Sequence, residues 1–391
     1  MKKKTIAFIL LAVLGFLANG DNYAASALIS NIAKDLGIPV TSAAASVTAY
    51  MATFGIFTLI FGPLADRFGK VKVIKIAALG TALFSMAGAL SYHLPSLVVL
   101  RALNGAFGAG IFPITIALVG EMYEKEHQHA KIALMMSIGF LGGALATAIG
   151  GTISFFGSWR AVYVVYGVGE LIAALLIFKY LDHDKGKTKK FQFFKNYKDA
   201  LSDTRLIRLI AILFLVGFAV LGSFTYMGNF ILTNTTYNIL VVGLILSLYG
   251  IGTVFGSKTV VPLRKRMPKI FMILTSGLGA FALFIFAYCG NIVFMGIGLF
   301  MFGFGYISVE SSIVTTIQEK LHTKKGTAMS LIAFNLFLGG AVGTEVNALI
   351  IEHINITAVF VVSAIVLIIA GTLAQNCITK FELDKIDVIN E

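Results

Sequence analysis

A succession of twelve apolar stretches restricts this chain more than any other feature, near residues 5–31, 42–65, 73–92, 95–121, 131–152, 160–181, 206–233, 239–261, 269–288, 292–317, 326–350 and 356–378. Each reaches or exceeds the roughly 20 residues that an α-helix needs to cross about 30 Å of hydrocarbon. Inside a bilayer every backbone N–H and C=O must be paired within the protein, so only helices and closed β-barrels span it. Barrel strands alternate apolar and polar residues over about ten positions, whereas these runs are continuous. The reading is therefore an all-α integral membrane protein of twelve transmembrane helices. With 58% hydrophobic and 13% charged residues, the chain has too little polar surface to clothe a soluble body of 391 residues.

The charges between the segments orient it. If the N-terminus is cytoplasmic, the inner turns collect Lys2, Lys3 and Lys4, then Arg67, Lys70, Lys72 and Lys75, then Lys125 and Lys131. A basic stretch from Lys179 to Arg208 follows, then Lys258, Arg264, Lys265, Arg266 and Lys269, then Lys320, Lys324 and Lys325. The outer turns keep only Lys34 and Arg160. Basic residues stay on the cytoplasmic side of a membrane protein, so a multi-pass protein of the cytoplasmic membrane with both termini inside is expected. The net charge of +12 has this cause; nucleic-acid binding would need the bases gathered on one face. Met1 to Lys4 before an apolar run also has the look of a signal peptide, but cleavage would leave the other loops on the wrong sides for their charge, so it reads as an uncleaved first helix. Cys289 and Cys377 fall at opposite ends of their segments and do not pair.

The chain also repeats itself. Phe140-Leu141-Gly142-Gly143-Ala144 in segment five recurs as Phe337-Leu338-Gly339-Gly340-Ala341 in segment eleven, with Thr147 matching Thr344, a shift of 197 residues. Such a duplication fits two six-helix bundles related by an axis along the membrane normal, with a substrate site between them near mid-depth. The expected division is residues 1–181, a cytoplasmic linker over 182–205, and residues 206–391. Phe191, Phe193 and Phe194 suggest a short interfacial helix within the linker.

Three short elements have further specificity. Gly62-Pro63-Leu64-Ala65-Asp66-Arg67-Phe68-Gly69-Lys70 separates segments two and three, Leu100-Arg101-Ala102-Leu103-Asn104-Gly105 opens segment four, and Gly157-Ser158-Trp159-Arg160 precedes segment six. Together they resemble the major facilitator superfamily of secondary transporters, and the pattern is closest to its twelve-span drug:proton antiporters, where an acid in the first helix accompanies them. Asp21 stands at that place. A departure is Ala146-Thr147-Ala148-Ile149-Gly150-Gly151, which keeps the closing glycines of the antiporters' segment-five pattern but not its Gly-Pro pair. The resemblance implies that Gly62, Asp66, Arg67, Gly69 and Lys70 form a gating element, with Asp66 approaching Gly326 and Thr327 at the start of segment eleven.

Ionisable residues at bilayer depth cost at least ~2.5–3.5 kcal/mol each and so need a reason. Five qualify: Asp21, Arg101, Glu170, Glu310 and Glu345. Asp21 lies 17 residues past Lys4 and Arg101 lies 6 past Pro95, which sets them at similar depth in the outer half. They read as a proton-coupling pair, with Glu310 and Glu345 as further coupling candidates; Glu170 reads as a scaffold residue. At 100° per residue, Asn19, Asn22, Tyr23 and Ser26 share one face of segment one and Asp21 faces the other way, behind the cavity wall. Asn104, Phe112, Tyr226, Phe230 and Tyr306 complete the expected substrate cavity, and Glu310 beside Tyr306 is placed to meet a cation from the cytoplasm.

Enzyme chemistry finds no footing. The chain holds no G-x-x-x-x-G-K-[ST] loop for ATP, and its histidines fall in loops or at segment ends without the clustering of a metal site, so no cofactor and no metal are expected. The expectation is a monomeric, proton-coupled exporter of small organic or drug-like molecules. Exporters of one metabolite (a sugar, nucleoside, amino-acid derivative or metallophore) and a lipid-handling flippase are the alternatives.

Overall fold

The structure, a computed structural model, describes residues 2–182, 184, 186, 197–198, 201, 203–320 and 325–390. Its long elements are α1 (Lys2–Leu36), α2 (Val40–Phe68), α3 (Lys70–Gly88), α4 (Leu94–Gly108), α5 (Phe112–Met122), α6 (Lys125–Phe156), α7 (Trp159–Tyr180), α8 (Thr204–Asn234), α9 (Ile239–Arg266), α10 (Phe271–Tyr288), α11 (Ile292–Lys320), α12 (Lys325–His353) and α13 (Ile356–Asn390). They make twelve spans, α4 and α5 together forming the fourth. That span breaks where Gly110 passes so close to α2 and α3 that a β-carbon would sit 2.8 Å from Ala77 and 2.9 Å from the Phe61 ring. Pro113 then restarts the helix in its first turn, where a missing N–H costs nothing.

Polar side chains set the boundaries at the other end of the molecule. Ser158 accepts the Ala161 N–H at 3.3 Å to open α7, and Asn238 accepts the Val241 N–H at 3.1 Å to open α9. The stretch Gly62 to Lys70, which separates segments two and three in the sequence, is almost wholly helical: α2 runs through Pro63 to Phe68 and only Gly69 is left between helices. Pro63 cannot donate to the Leu59 carbonyl four residues earlier. The Tyr197 hydroxyl takes that place at 2.9 Å, so the helix continues without an orphaned acceptor. The aromatic stretch from Phe191 to Phe194, expected as an interfacial helix, lies outside the described residues.

The duplication is carried into the packing. A β-carbon at Gly142 would overlap the Phe16 carbonyl, and one at Gly339 would overlap the Phe214 carbonyl, so α1 on α6 and α8 on α12 are the same contact twice. Likewise Gly105 lies on the Tyr50 carbonyl and Gly303 on the Tyr249 carbonyl. Between the halves, α2 packs on α12 and α6 on α9. The halves meet firmly at one end, where Ser30 donates to Asn229 at 3.1 Å and the backbones of Gly151 and Gly243 touch. Towards the end that bears Gly69, α6 and α9 separate beyond Ala144 and Gly250, while α2 and α12 stay together through Gly55, Thr58 and Ser330.

Candidate functional site

Three side chains from two helices converge inside the first half. Asp21 on α1, Arg101 on α4 and Asn104 one turn later are each at most 2% exposed. An Arg101 Nη1 lies 3.5 Å from Asp21 Oδ1 and donates to Asn104 Oδ1 at 2.8 Å. Asn104 Nδ2 donates to Asp21 Oδ2 at 3.0 Å and to the Thr81 carbonyl at 3.1 Å. The amide therefore clamps acid to base, and the direct ion pair is the longest contact of the set. Arg101 also lies 4.3 Å from the Tyr50 ring centroid and 5.3 Å from that of Tyr163, a placement in which the ring faces stabilise the cation. Its Nε and Nη2 have no hydrogen-bond partner among the described residues.

In front of this cluster, between the halves, lies a cavity of about 730 Å³ whose wall includes Asn19, Tyr23, Phe112, Tyr249, Tyr306 and Glu310. Tyr249 stacks on Tyr306 with centroids 6.0 Å apart, and the Tyr306 hydroxyl faces the half-buried Glu310 carboxyl. The cavity reaches the molecular surface at Arg264 and Lys265. Its wall is mostly apolar and aromatic with a few convergent polar groups, the composition of a site for an amphipathic small molecule.

The sequence-derived sites distribute as follows. Asn19, Tyr23, Phe112, Tyr306 and Glu310 line the cavity. Asn104 does not: it belongs to the Asp21 cluster. Asn22 and Ser26 are buried in helix contacts, because the open face of α1 is narrower than the polar stripe. Tyr226 faces α12 and donates to the Thr344 carbonyl at 3.1 Å, and Phe230 packs at 5.3 Å from Phe286 and 5.0 Å from Phe360. Both are core residues of the second half. Glu345 is exposed, away from cavity and cluster. Glu170, read as scaffold, is fully buried beside the cluster. Tyr249 was missed, although Tyr249, Thr253, Ser257 and Arg264 form a polar stripe at helical spacing along α9.

At the basic end, Gly69 makes the turn with φ 97°, a conformation that a β-carbon opposes, and such an atom would meet Asp184 as well. The Asp184 carboxylate accepts the Lys70 and Val71 N–H groups at 2.7 and 2.8 Å, so it caps α3 at the positive end of the helix dipole. Lys70 in turn reaches Glu121 at 3.1 Å and Asp66 at 3.8 Å. Asp66 is 63% exposed. Neither Asp184 nor Glu121 carried a sequence signal, because each acts from a distant part of the chain.

The Major Facilitator Superfamily model matches residues 11–344. The chain belongs to that superfamily. An uncharacterized MFS-type transporter, YybF of Bacillus subtilis (strain 168), is 27% identical over 364 residues, covering 89% of this chain and 86% of its own. A bicyclomycin resistance protein homolog of Haemophilus influenzae (strain ATCC 51907 / DSM 11121 / KW20 / Rd) is 27% identical over 183 residues, 46% of each chain. Among solved structures, a point mutant of the nucleoside transporter NupG superposes with a TM-score of 0.78 at 14% identity, covering 95% of this chain and 99% of that one, a likeness of fold. As a superfamily member the protein is a multi-pass membrane transporter and not an enzyme. Its cavity lies between the two repeats, where transporters of this architecture hold their cargo.

Proposed function

We propose that the protein is a proton-coupled exporter of small, drug-like organic molecules that works as a monomer by alternating access in the cytoplasmic membrane, with both termini in the cytoplasm. The observation that carries this reading is the buried Asp21–Arg101–Asn104 cluster directly behind the wall of an aromatic cavity. A charged pair excluded from water contributes little to stability. Its use is as an element with two arrangements, in which a proton on Asp21 frees Arg101 and its loss restores the pair. The cavity opens at the basic end, which charge asymmetry assigns to the cytoplasm, so this conformation is the loading state of an exporter. Glu310 among Tyr23, Tyr249 and Tyr306 favours cargo with a cationic amine, by charge and by cation–π contact. The resistance function in the name of the Haemophilus relative supports export of foreign compounds.

The gap between α6 and α9 favours a second reading, lipid handling, because Phe140 and Ser257 line the cavity while exposed towards the membrane side. Proteoliposomes decide between them. Amine-bearing compounds should accumulate against their gradient only when an opposing proton gradient is imposed, and reversal of that gradient should reverse the movement. Movement of lipid analogues with no response from any soluble amine would replace the first reading with the second.

A further inference from the structure

Glu170 on α7 is 0% exposed, and neither of its carboxyl oxygens has a hydrogen-bond partner among the described residues. The Thr81 hydroxyl lies beside it but donates to the Ala77 and Ala78 carbonyls at 3.2 and 3.1 Å. The charged and titratable groups facing it are Asp21 from α1, Tyr50 from α2, Arg101 from α4 and Tyr166 on its own helix. Tyr166 seals the site against α1, where Gly20 is the residue that leaves room for its ring. The tally of charge is therefore two carboxyls against one guanidinium, in a compartment closed to water.

Two carboxylates cannot both stay ionised beside a single cation at such burial, since an uncompensated charge neutralises itself by taking up a proton. Asp21 already has the cation, the Asn104 amide and the nearby Ser85 hydroxyl, whereas Glu170 has no cation of its own and only the Thr81 hydroxyl beside it, which the Ala77 and Ala78 carbonyls also take. We propose that Asp21 and Glu170 together form a proton-binding site that holds one proton against the single positive charge of Arg101, with the proton on Glu170 while Arg101 and Asn104 hold Asp21. The unpartnered Nε and Nη2 of Arg101 supply the other half of the device, because they are the donors that receive Glu170 when the guanidinium turns away from Asp21. In that exchange an O–H bond breaks at Glu170 Oε and one forms at Asp21 Oδ. Charge stays constant, and the proton has moved from α7 to α1. The proton's part in transport rests on the coupling reading above; its presence does not.

Infrared difference spectroscopy of the purified full chain in lipid, read as the C=O absorbance of protonated carboxyl groups and its shift in deuterated buffer, counts the proton. All variants are made on a Glu310→Gln background so that the cavity acid is silent. The parent should show one protonated carboxyl. Glu170→Gln and Asp21→Asn should each show none, because the acid that remains is balanced by Arg101, and Arg101→Gln should show two. A parent without the band, or a band that survives Glu170→Gln, overturns the proposal; if Arg101→Gln does not fold, the two isosteric acid variants suffice. Gradient-driven uptake by wild-type protein and its Glu170→Gln variant is measured in parallel. A wild type indifferent to the proton gradient, with the band pattern as stated, refutes coupling and keeps the site. Coupling that is intact in Glu170→Gln, with the band retained, refutes the site and keeps coupling.

Discussion

The two halves share a backbone plan and differ in what they bury at one level. Through the shifts that relate Phe16 to Phe214 and Gly105 to Gly303, Asp21 corresponds to Ala219, Arg101 to Leu299 and Asn104 to Phe302, all three of the latter buried. In the second half these residues join one continuous apolar core. In the first half the core is split into one cluster around Leu11, Ile74 and Ile114 and another around Leu28, Trp159 and Tyr163, and the polar cluster lies between them. Tyr50 and Tyr249 show the same divergence. The former covers Arg101, while the latter lines the cavity and stacks on Tyr306. A fold that packs well with alanine, leucine and phenylalanine at these places does not need the charges in order to stand. On the proposed reading the first half keeps its polar cluster for coupling, while the second half fills the same level with apolar packing.

The largest test removes the base. Arg101→Ala leaves two buried acids without a cation, and breaking a buried pair costs about 3–5 kcal/mol, a large share of the ~5–15 kcal/mol that holds an ordinary domain together. Folded yield in detergent should fall sharply. Replacing all three residues by their second-half counterparts, Asp21→Ala with Arg101→Leu and Asn104→Phe, should recover most of that yield. The recovered protein should bind cargo but show no gradient-driven accumulation. If the triple variant folded no better than Arg101→Ala, the halves would not be interchangeable at this level.

Next comes Asp21→Asn, which keeps shape and Asn104's partner while removing the charge. Uphill transport driven by protons should be lost, and downhill exchange should persist because Asn19, Tyr23 and Tyr306 are untouched. Full accumulation in this variant would move the coupling role to Glu310. In the cavity itself, Glu310→Gln should weaken binding of amine-bearing compounds by roughly tenfold, about 1.4 kcal/mol, while neutral analogues of the same shape change little. Equal loss for both would make Glu310 a packing residue and not a charge sensor.

Features set by neighbours in sequence are legible in the chain itself, and those set by distant helices are not. The spans were legible, because apolar length is a local signal, and so was the duplication, because Phe140 to Ala144 recurs in letters. Asp21 with Arg101 was legible from their similar depth together with the motifs that carry the family resemblance. Asn104 was assigned to the wrong side of the wall, since helical angle places a residue on a face but does not say which neighbour covers it. Tyr226 and Phe230 failed for the same reason: α12 and α13 lie against them. Glu170 was undervalued because its meaning depends on two other helices.

The smallest expected effect sharpens the asymmetry at the basic end. Asp66 is in the last turn of α2 near Lys70, and the α2–α12 contact at Thr58 and Ser330 brings that turn towards the start of α12. The corresponding stretch of the second half, Gly256 to Met267, has Pro262 where the first has Pro63 but offers only Lys258, Arg264, Lys265 and Arg266 as charges. A latch built from a carboxylate and a helix N-terminus would therefore exist on one side only. Such an interaction is worth about 0.3–1 kcal/mol at an exposed site, roughly a two- to fivefold bias between open and closed states. Asp66→Asn should shift the population away from the state open to the outside and slow transport, with expression unchanged. Reactivity of single cysteines placed at Ser30 on one face and at Ser257 on the other reads that shift directly. The Ser30 site should lose reactivity while the Ser257 site gains it, and the ratio of the two should change by about that two- to fivefold bias. Identical labelling on both faces would show that Asp66 only pairs with Lys70, and that the bundles are as symmetric at this end as their backbones are.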